Sequence, residues 1–321
     1  MKKIARAFFI VFIVFFIFTN IVAIFHSYKF THFSSEKLAK PKKPEDLTKA
    51  EKLKIMLLGI RIPKPSNDKK PHQKFKTIVL QSNKKIECWS IRNEESKGTV
   101  ILFHGYGGKK SSMIDKADVF LDLGYNVFMV DFIGSGGSEG LQTTIGYKEA
   151  ENVKSAYDYI KENGERNIFL FGTSMGAAAI MKALADYPLE PKGIIIECPF
   201  RTMYEATKAR FKAVGAPVFP MAGLVVFWGG LTNGFWAFDH NPVEYARKIK
   251  CNTLLLYGEQ DKRVSREEIN AIYSNLHCSK ELKTYPLAGH VNYLLKYKTE
   301  WTQDIGTFLD QTNISIFSNH Q

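Results

Sequence analysis

A serine fenced by glycines, Gly172-Thr173-Ser174-Met175-Gly176, closes the apolar run "NIFLFGTS". A hydroxyl there has two uses. Ser174 can cap the helix that Met175 opens, or it can be a nucleophile. The second use needs a base, because a free hydroxyl attacks poorly, and it needs an acid to orient that base. It also needs N–H donors where a tetrahedral oxyanion develops. All of these are present downstream and upstream. Asp261 lies in "YGEQDKRV" and His290 in "LAGHVNY". The order Ser, Asp, His follows a glycine-x-serine-x-glycine elbow, in which glycines two before and two after tolerate a sharp strand-to-helix turn. Ala177–Ala179 let the helix pack close behind it. The backbone N–H groups of Met175 and of Tyr106, in "HGYGG", are the expected oxyanion donors.

Other titratable residues fit less well. Glu259 is the nearest alternative acid. His240 precedes Asp261, and His277 ends a helical stretch. His104 reads as ordering the oxyanion loop. Asp131, in "VDFIGSGGSEG", reads as a buttress for its own loop. Cys88, Cys198, Cys251 and Cys278 are scattered with no C-x-x-C pair, which points to free thiols rather than a metal or redox motif, with a disulfide left open.

The elements that must position these residues follow from periodicity. "FKTIVLQSNKKIECWSIR" reads as an antiparallel hairpin turning near Asn83. "GTVILFHG", "YNVFMVDF", "NIFLFGTS", "GIIIECPF" and "CNTLLLYG" are short continuous apolar runs, as in strands buried on both faces. "KELKTYPL" supplies the last strand. Helical patterns fall between them, near 112–123, 147–162, 175–186 and 266–276, with another near 300–310. Alternating strands and helices predict a mostly parallel, doubly wound α/β sheet. Such sheets hold their ligands at the carboxyl ends of the strands, where all the candidate residues fall.

Together, "LFHGYGG", "VDFIGSGGSEG", "LFGTSMG", "LLLYGEQDKRV" and "LAGH" resemble the α/β-hydrolase superfamily over about residues 75–310. The look is that of serine aminopeptidase S33 and monoacylglycerol-lipase-like enzymes, and of membrane-anchored Bem46-like hydrolases within them. The resemblance implies hydrolysis of an ester, thioester or amide through an acyl-serine, with no metal or organic cofactor. Thr173 stands where a small residue is usual, and "FIGSGGSEG" lacks the arginine common after the aspartate.

The chain carries +12 over 321 residues. Up to Lys43 there are eight Lys/Arg against one acid, which makes +7. The basicity therefore belongs mostly to the N-terminal arm. No basic stripe is interleaved with aromatics, which argues against nucleic acid. Ala7 to Phe25 is uncharged, 19 residues, and spans about 28 Å as a helix, close to a bilayer core. It lacks an Ala-x-Ala exit and predicts an uncleaved, single-pass transmembrane helix. Lys2, Lys3 and Arg6 favour a cytoplasmic N-terminus, with the catalytic domain on the other side, although Lys29, Lys37, Lys40, Lys42 and Lys43 pull against it. The expected organisation is an anchor over 1–29, a basic, proline-containing tether over 30–74 with an amphipathic piece near Leu47–Ile60, and a hydrolase domain over 75–321. A cap is inserted at about 201–250. Within it, 213–238 is uncharged but broken by prolines and glycines. A membrane crossing there would separate Asp261 and His290 from Ser174, so it reads as a cover whose apolar side chains, from Phe219 to Trp236, line an acyl pocket or touch lipid.

The expected function is a membrane-anchored serine esterase acting on a small acyl or lipid-like substrate. A peptidase or amidase, an acyltransferase and a silent binding protein are the alternatives.

Overall fold

The computed structural model describes residues 2–36 and 48–314. Eight strands form one sheet: β1 Phe75–Gln81, β2 Lys85–Ile91, β3 Thr99–Phe103, β4 Asn126–Val130, β5 Ile168–Thr173, β6 Gly193–Glu197, β7 Asn252–Gly258 and β8 Lys280–Tyr285. Their order is β1-β2-β4-β3-β5-β6-β7-β8. β1 and β2 are antiparallel, with Gln81 opposite Lys85, and β2 runs antiparallel to β4. The pairs from β4 through β8 are parallel.

The apolar runs alternate between two cores. Ile101 and Phe103 of β3 enter one, and Val100 and Leu102 enter the other. Strands apolar at every position are stable only with both faces covered, and helices cover both. The order reverses at β3, because β4 lies on one side of it and β5 on the other. The crevice between the ends of β3 and β5 is therefore the switch point where such sheets bind ligands.

The N-terminal helix α1, Lys2–Thr31, is long and apolar enough to cross a membrane. Residues 2–18 are exposed along it, but Thr19, Val22, Ala23, Ser27 and Thr31 are buried. They are buried against an inserted cap. That cap holds α6 (Met203–Ala213), α7 (Met221–Thr232) and α8 (Pro242–Ala246). Ala23 shares a small apolar cluster with Phe211, Ala222 and Val225. The Trp228 indole N–H donates to Asn20 Oδ1 at 2.9 Å. The uncharged cap stretch yields a helix of 12 residues, too short to cross a bilayer.

Within the expected tether, two of the described stretches hydrogen-bond through their backbone. α2, Lys49–Leu58, opens with a capping box on Thr48 and buries no residue. Its carboxyl end meets the end of α1 through His26 and the carbonyl of Met56. Phe33 N–H donates to Leu141 O and Lys64 N–H to Ser34 O, while Gly136 N–H donates to Pro65 O. These backbone bonds fix residues 33–36 and 62–65 against the domain. Leu47, the lysines at 37, 40, 42 and 43, and residues 315–321 lie outside the described residues.

Candidate active site

Ser174 sits between β5 and helix α5, Met175–Asp186, with φ +52° and ψ −108°. That left-handed backbone is costly for a serine and needs support. The support is steric and local. A Cβ on Gly172 would lie 2.6 Å from the Gly176 backbone, and one on Gly176 would lie 2.3 Å from the Phe103 carbonyl oxygen. The Ser174 N–H also donates to Glu197 O at 2.8 Å. The serine does not cap α5, since its side chain makes no capping bond. Its Oγ lies 3.2 Å from His290 Nε2.

His290 follows β8, and its Nδ1 lies 2.7 Å from Asp261 Oδ2. Asp261 is buried after β7. Its other oxygen, Oδ1, accepts the N–H groups of Arg263 at 2.7 Å and Val264 at 3.0 Å. That leaves Oδ2 aimed at the imidazole. Burial pushes the His290 imidazole down, but Cys198 and the Asp261 carboxylate outweigh it and the net push is upward. The Asp261 carboxylate sits in direct contact with Nδ1.

The two oxyanion candidates face the same crevice. Met175 is the first residue of α5, so its N–H has no acceptor inside the helix. Tyr106 lies in the loop after β3, and a Cβ on its neighbour Gly105 would come within 3.7 Å of Ser174 Cβ. The cavity in front of Ser174 measures about 250 Å³ and is lined by Tyr106, Met175 and His290.

Comparison with known proteins now places the chain. Residues 94–226 match the family described as "Serine aminopeptidase, S33". An uncharacterized membrane protein of Saccharomyces cerevisiae is 29% identical over 229 residues, covering 70% of this chain and 76% of that one. Lysophosphatidylserine lipase ABHD12 of Gallus gallus is 25% identical over 225 residues, covering 66% of this chain and 58% of that lipase. The solved esterase Pf2001 of Pyrococcus furiosus superposes with a TM-score of 0.67 at 26% identity, covering 78% of this chain and 96% of that structure. The chain has the α/β-hydrolase fold, and over residues 94–226 it is similar to the S33 family.

The remaining titratable residues of this hydrolase have structural work. His104 Nδ1 lies 2.8 Å from Gly105 O, and its Nε2 accepts the Phe132 N–H. Burial lowers its pKa, so the ring stays neutral and orders the loop carrying Tyr106. His240 is buried at the foot of the cap between Ile145 O and the Tyr245 hydroxyl, and burial drives it down to about 3. His277 is exposed. Asp131 pairs with the fully buried Lys110 and accepts Gly137 N–H at 2.9 Å. Glu259 faces Arg266 at 3.5 Å on the surface. The four cysteines are free thiols. Thr173, in place of a small residue, donates its hydroxyl to Glu197 at 2.9 Å. That buried carboxylate also accepts Trp301 Nε1 at 2.7 Å and faces Lys116 at 3.6 Å.

Three features of the site were not foreseen. Cys198, at the end of β6 with φ +40°, brings its sulfur within 4.8 Å of an Asp261 carboxylate oxygen and a His290 ring nitrogen. Its place next to a strand end was the available signal. Arg210 and Arg263 also line the cavity. Arg263 is two residues past Asp261, but nothing local marks Arg210, on a cap helix. The apolar cap residues behave differently from the expected acyl pocket. Between Phe219 and Trp236, none lines the cavity at Ser174. Phe235 lines a separate cavity of about 30 Å³ next to α1, while Phe219 and Trp236 are exposed. The physical reason is that α7 spends its apolar surface on α1.

Proposed function

We propose that the chain is a membrane-anchored serine hydrolase that cleaves carboxylic esters of acyl chains through an acyl-serine. The observation carrying this reading is the relay of Ser174 Oγ, His290 Nε2 at 3.2 Å and, across the ring, Asp261 Oδ2 at 2.7 Å from Nδ1. In it, His290 Nε2 takes the Ser174 proton as Oγ bonds to the acyl carbonyl carbon. The carbonyl oxygen becomes an oxyanion held by the N–H groups of Tyr106 and Met175. Asp261 holds the Nδ1–H tautomer and stabilises the imidazolium. The oxyanion collapses, the ester C–O bond breaks, and His290 gives its proton to the leaving alcohol. Water then repeats the sequence on the acyl-serine, losing its proton to His290 and releasing the fatty acid. No step calls on a metal or organic cofactor.

Lipid-like esters are favoured by two further facts. The N-terminal helix is a candidate span that docks directly on the cap, and one relative is a lipase by name. In this reading 1–29 anchors the chain, 30–74 is the tether, and 75–321, with its cap at 201–250, is the catalytic unit. Lys2, Lys3 and Arg6 keep the N-terminus cytoplasmic and the catalytic unit on the other side.

The test is fluorophosphonate labelling of the detergent-solubilised full chain, wild type beside Ser174→Ala. Labelling that disappears in the variant is expected. Equal labelling of both, or none of a folded wild type, refutes the assignment.

A further inference from the structure

Two arginines share the cavity that holds Ser174 and His290. Arg210 comes from cap helix α6 and is half-buried, and Arg263 comes from the loop that carries Asp261. Among the described residues, neither has a carboxylate partner. The Arg210 guanidinium instead stacks on rings, 4.2 Å from the centroid of Tyr106 and 4.6 Å from that of Phe30. Ring stacking occupies the faces of a guanidinium; one of its N–H groups is shared with the Tyr106 side chain, and the rest of the in-plane fork is left for an oxyanion. Burial pushes the Arg210 pKa down, the Tyr106 hydroxyl opposes this, and Arg263 adds to the depression. The two cations therefore lie within each other's field. Like charges gathered at a cavity without a counter-charge raise the local concentration of anions.

The position along α1 adds a depth. Phe30 lies five residues past Phe25, where the uncharged run ends, or about 7.5 Å along the helix. The headgroup layer outside the hydrocarbon core is about 5–7 Å thick on each side. Phe30, and the guanidinium stacked on it, then sit at the outer edge of the lipid headgroups. The Tyr106 hydroxyl donates to Phe30 O at 2.9 Å and ties the same point to the oxyanion loop.

We propose that Arg210 and Arg263 form an anion subsite beside Ser174, and that the ester cleaved there carries a phosphate on its alcohol side. This rests on the ester-hydrolase reading and names the substrate class for that site. The phosphate accepts from both guanidinium forks while the acyl carbonyl meets Ser174 Oγ. Hydrolysis leaves a fatty acid and a phosphorylated alcohol.

The experiment uses the full chain in neutral detergent micelles and two substrates with the same acyl chain, a 1-acylglycerol 3-phosphate and the uncharged 1-acylglycerol. Charge-assisted hydrogen bonds predict at least about ten-fold higher kcat/KM on the phosphate ester, carried mainly by KM. The Arg263→Ala variant is expected to reduce that preference to within about two-fold by raising KM on the phosphate ester. Arg210→Gln serves as a second variant with the same expected collapse of preference. A third arm presents the uncharged ester in micelles doped with an anionic lipid. A rate rise there that matches the phosphate preference assigns the effect to surface charge and overturns the subsite. Equal turnover of the two esters by wild type overturns the subsite while leaving ester hydrolysis standing. No turnover of either, with no fluorophosphonate labelling, overturns both.

Discussion

The Asp261→Asn substitution tests the relay most directly. Asp261 Oδ1 accepts two fixed backbone N–H groups, from Arg263 and Val264, at 2.7 and 3.0 Å. An asparagine has one acceptor oxygen and one NH2 donor. The two backbone donors claim the oxygen, so the NH2 faces His290 Nδ1, now 2.7 Å from the carboxylate. Nδ1 must then accept, the ring proton moves to Nε2, and Nε2 can no longer take the Ser174 proton. The opposite flip would set NH2 against two N–H groups and cost about 1–3 kcal/mol for each unsatisfied contact. The wrong tautomer in a serine triad costs about 10⁴ in kcat, or about 5.4 kcal/mol of transition-state stabilisation at 1.36 kcal/mol per decade. The backbone contacts survive, so the fold is retained. The assay is kcat on a short-chain p-nitrophenyl ester, with a thermal melt and near-UV circular dichroism to verify folding. A folded Asp261→Asn enzyme within about ten-fold of wild type, where about 10⁴ is expected, refutes the role given to Asp261.

Three other outcomes follow from the same geometry. His290 must be neutral to act as base, and its pKa is raised because Cys198 and Asp261 outweigh burial; kcat/KM therefore falls as pH drops, with the acid limb above the ordinary histidine value of about 6.5, and a limb well below it in a pH–rate profile refutes this. Asp131→Asn removes one of the two carboxylates facing the fully buried Lys110, leaving Glu87 at 2.7 Å, and is expected to cost about 1–3 kcal/mol of stability, while residual folded enzyme keeps its kcat; the check is active-site-titrated turnover beside a denaturant melt. A chain beginning at Thr48 loses α1 and the Phe33 contact, where Phe33 is 4% exposed. Burying one such side chain is worth about 2 kcal/mol, or roughly 4–8 °C in Tm for a domain of this size. An unchanged melt would mean that α1 is only a tether.

Several elements were legible without coordinates for a physical reason. Short apolar runs alternating with helical patterns read as strands covered on both faces, and β3 to β7 fall where "GTVILFHG" through "CNTLLLYG" stand. The elbow at Ser174 is local sterics, because Gly172 and Gly176 are demanded by atoms within a few residues and by the neighbouring strand. Asp261 and His290 are legible as candidates because strand ends in an α/β sheet point to one edge. What α1 does was not legible. Its composition announces a span, but the burial of Ala23 and the Trp228–Asn20 bond depend on a partner some 200 residues away. The strapping of residues 33–36 and 62–65 is backbone hydrogen bonding, which leaves no mark in side-chain pattern.

Sequence alone thus determined the sheet, the elbow and the candidate relay residues, since each rests on short-range sterics or on periodicity. Only the tertiary structure decided which groups share the cavity with them. Cys198 reaches Asp261 and His290 because β6 lies beside β7, with β8 next in order. Arg210 reaches the cavity because the cap folds over it and Phe30 and Tyr106 hold its guanidinium. Such meetings are set by packing between distant segments, which no local pattern encodes.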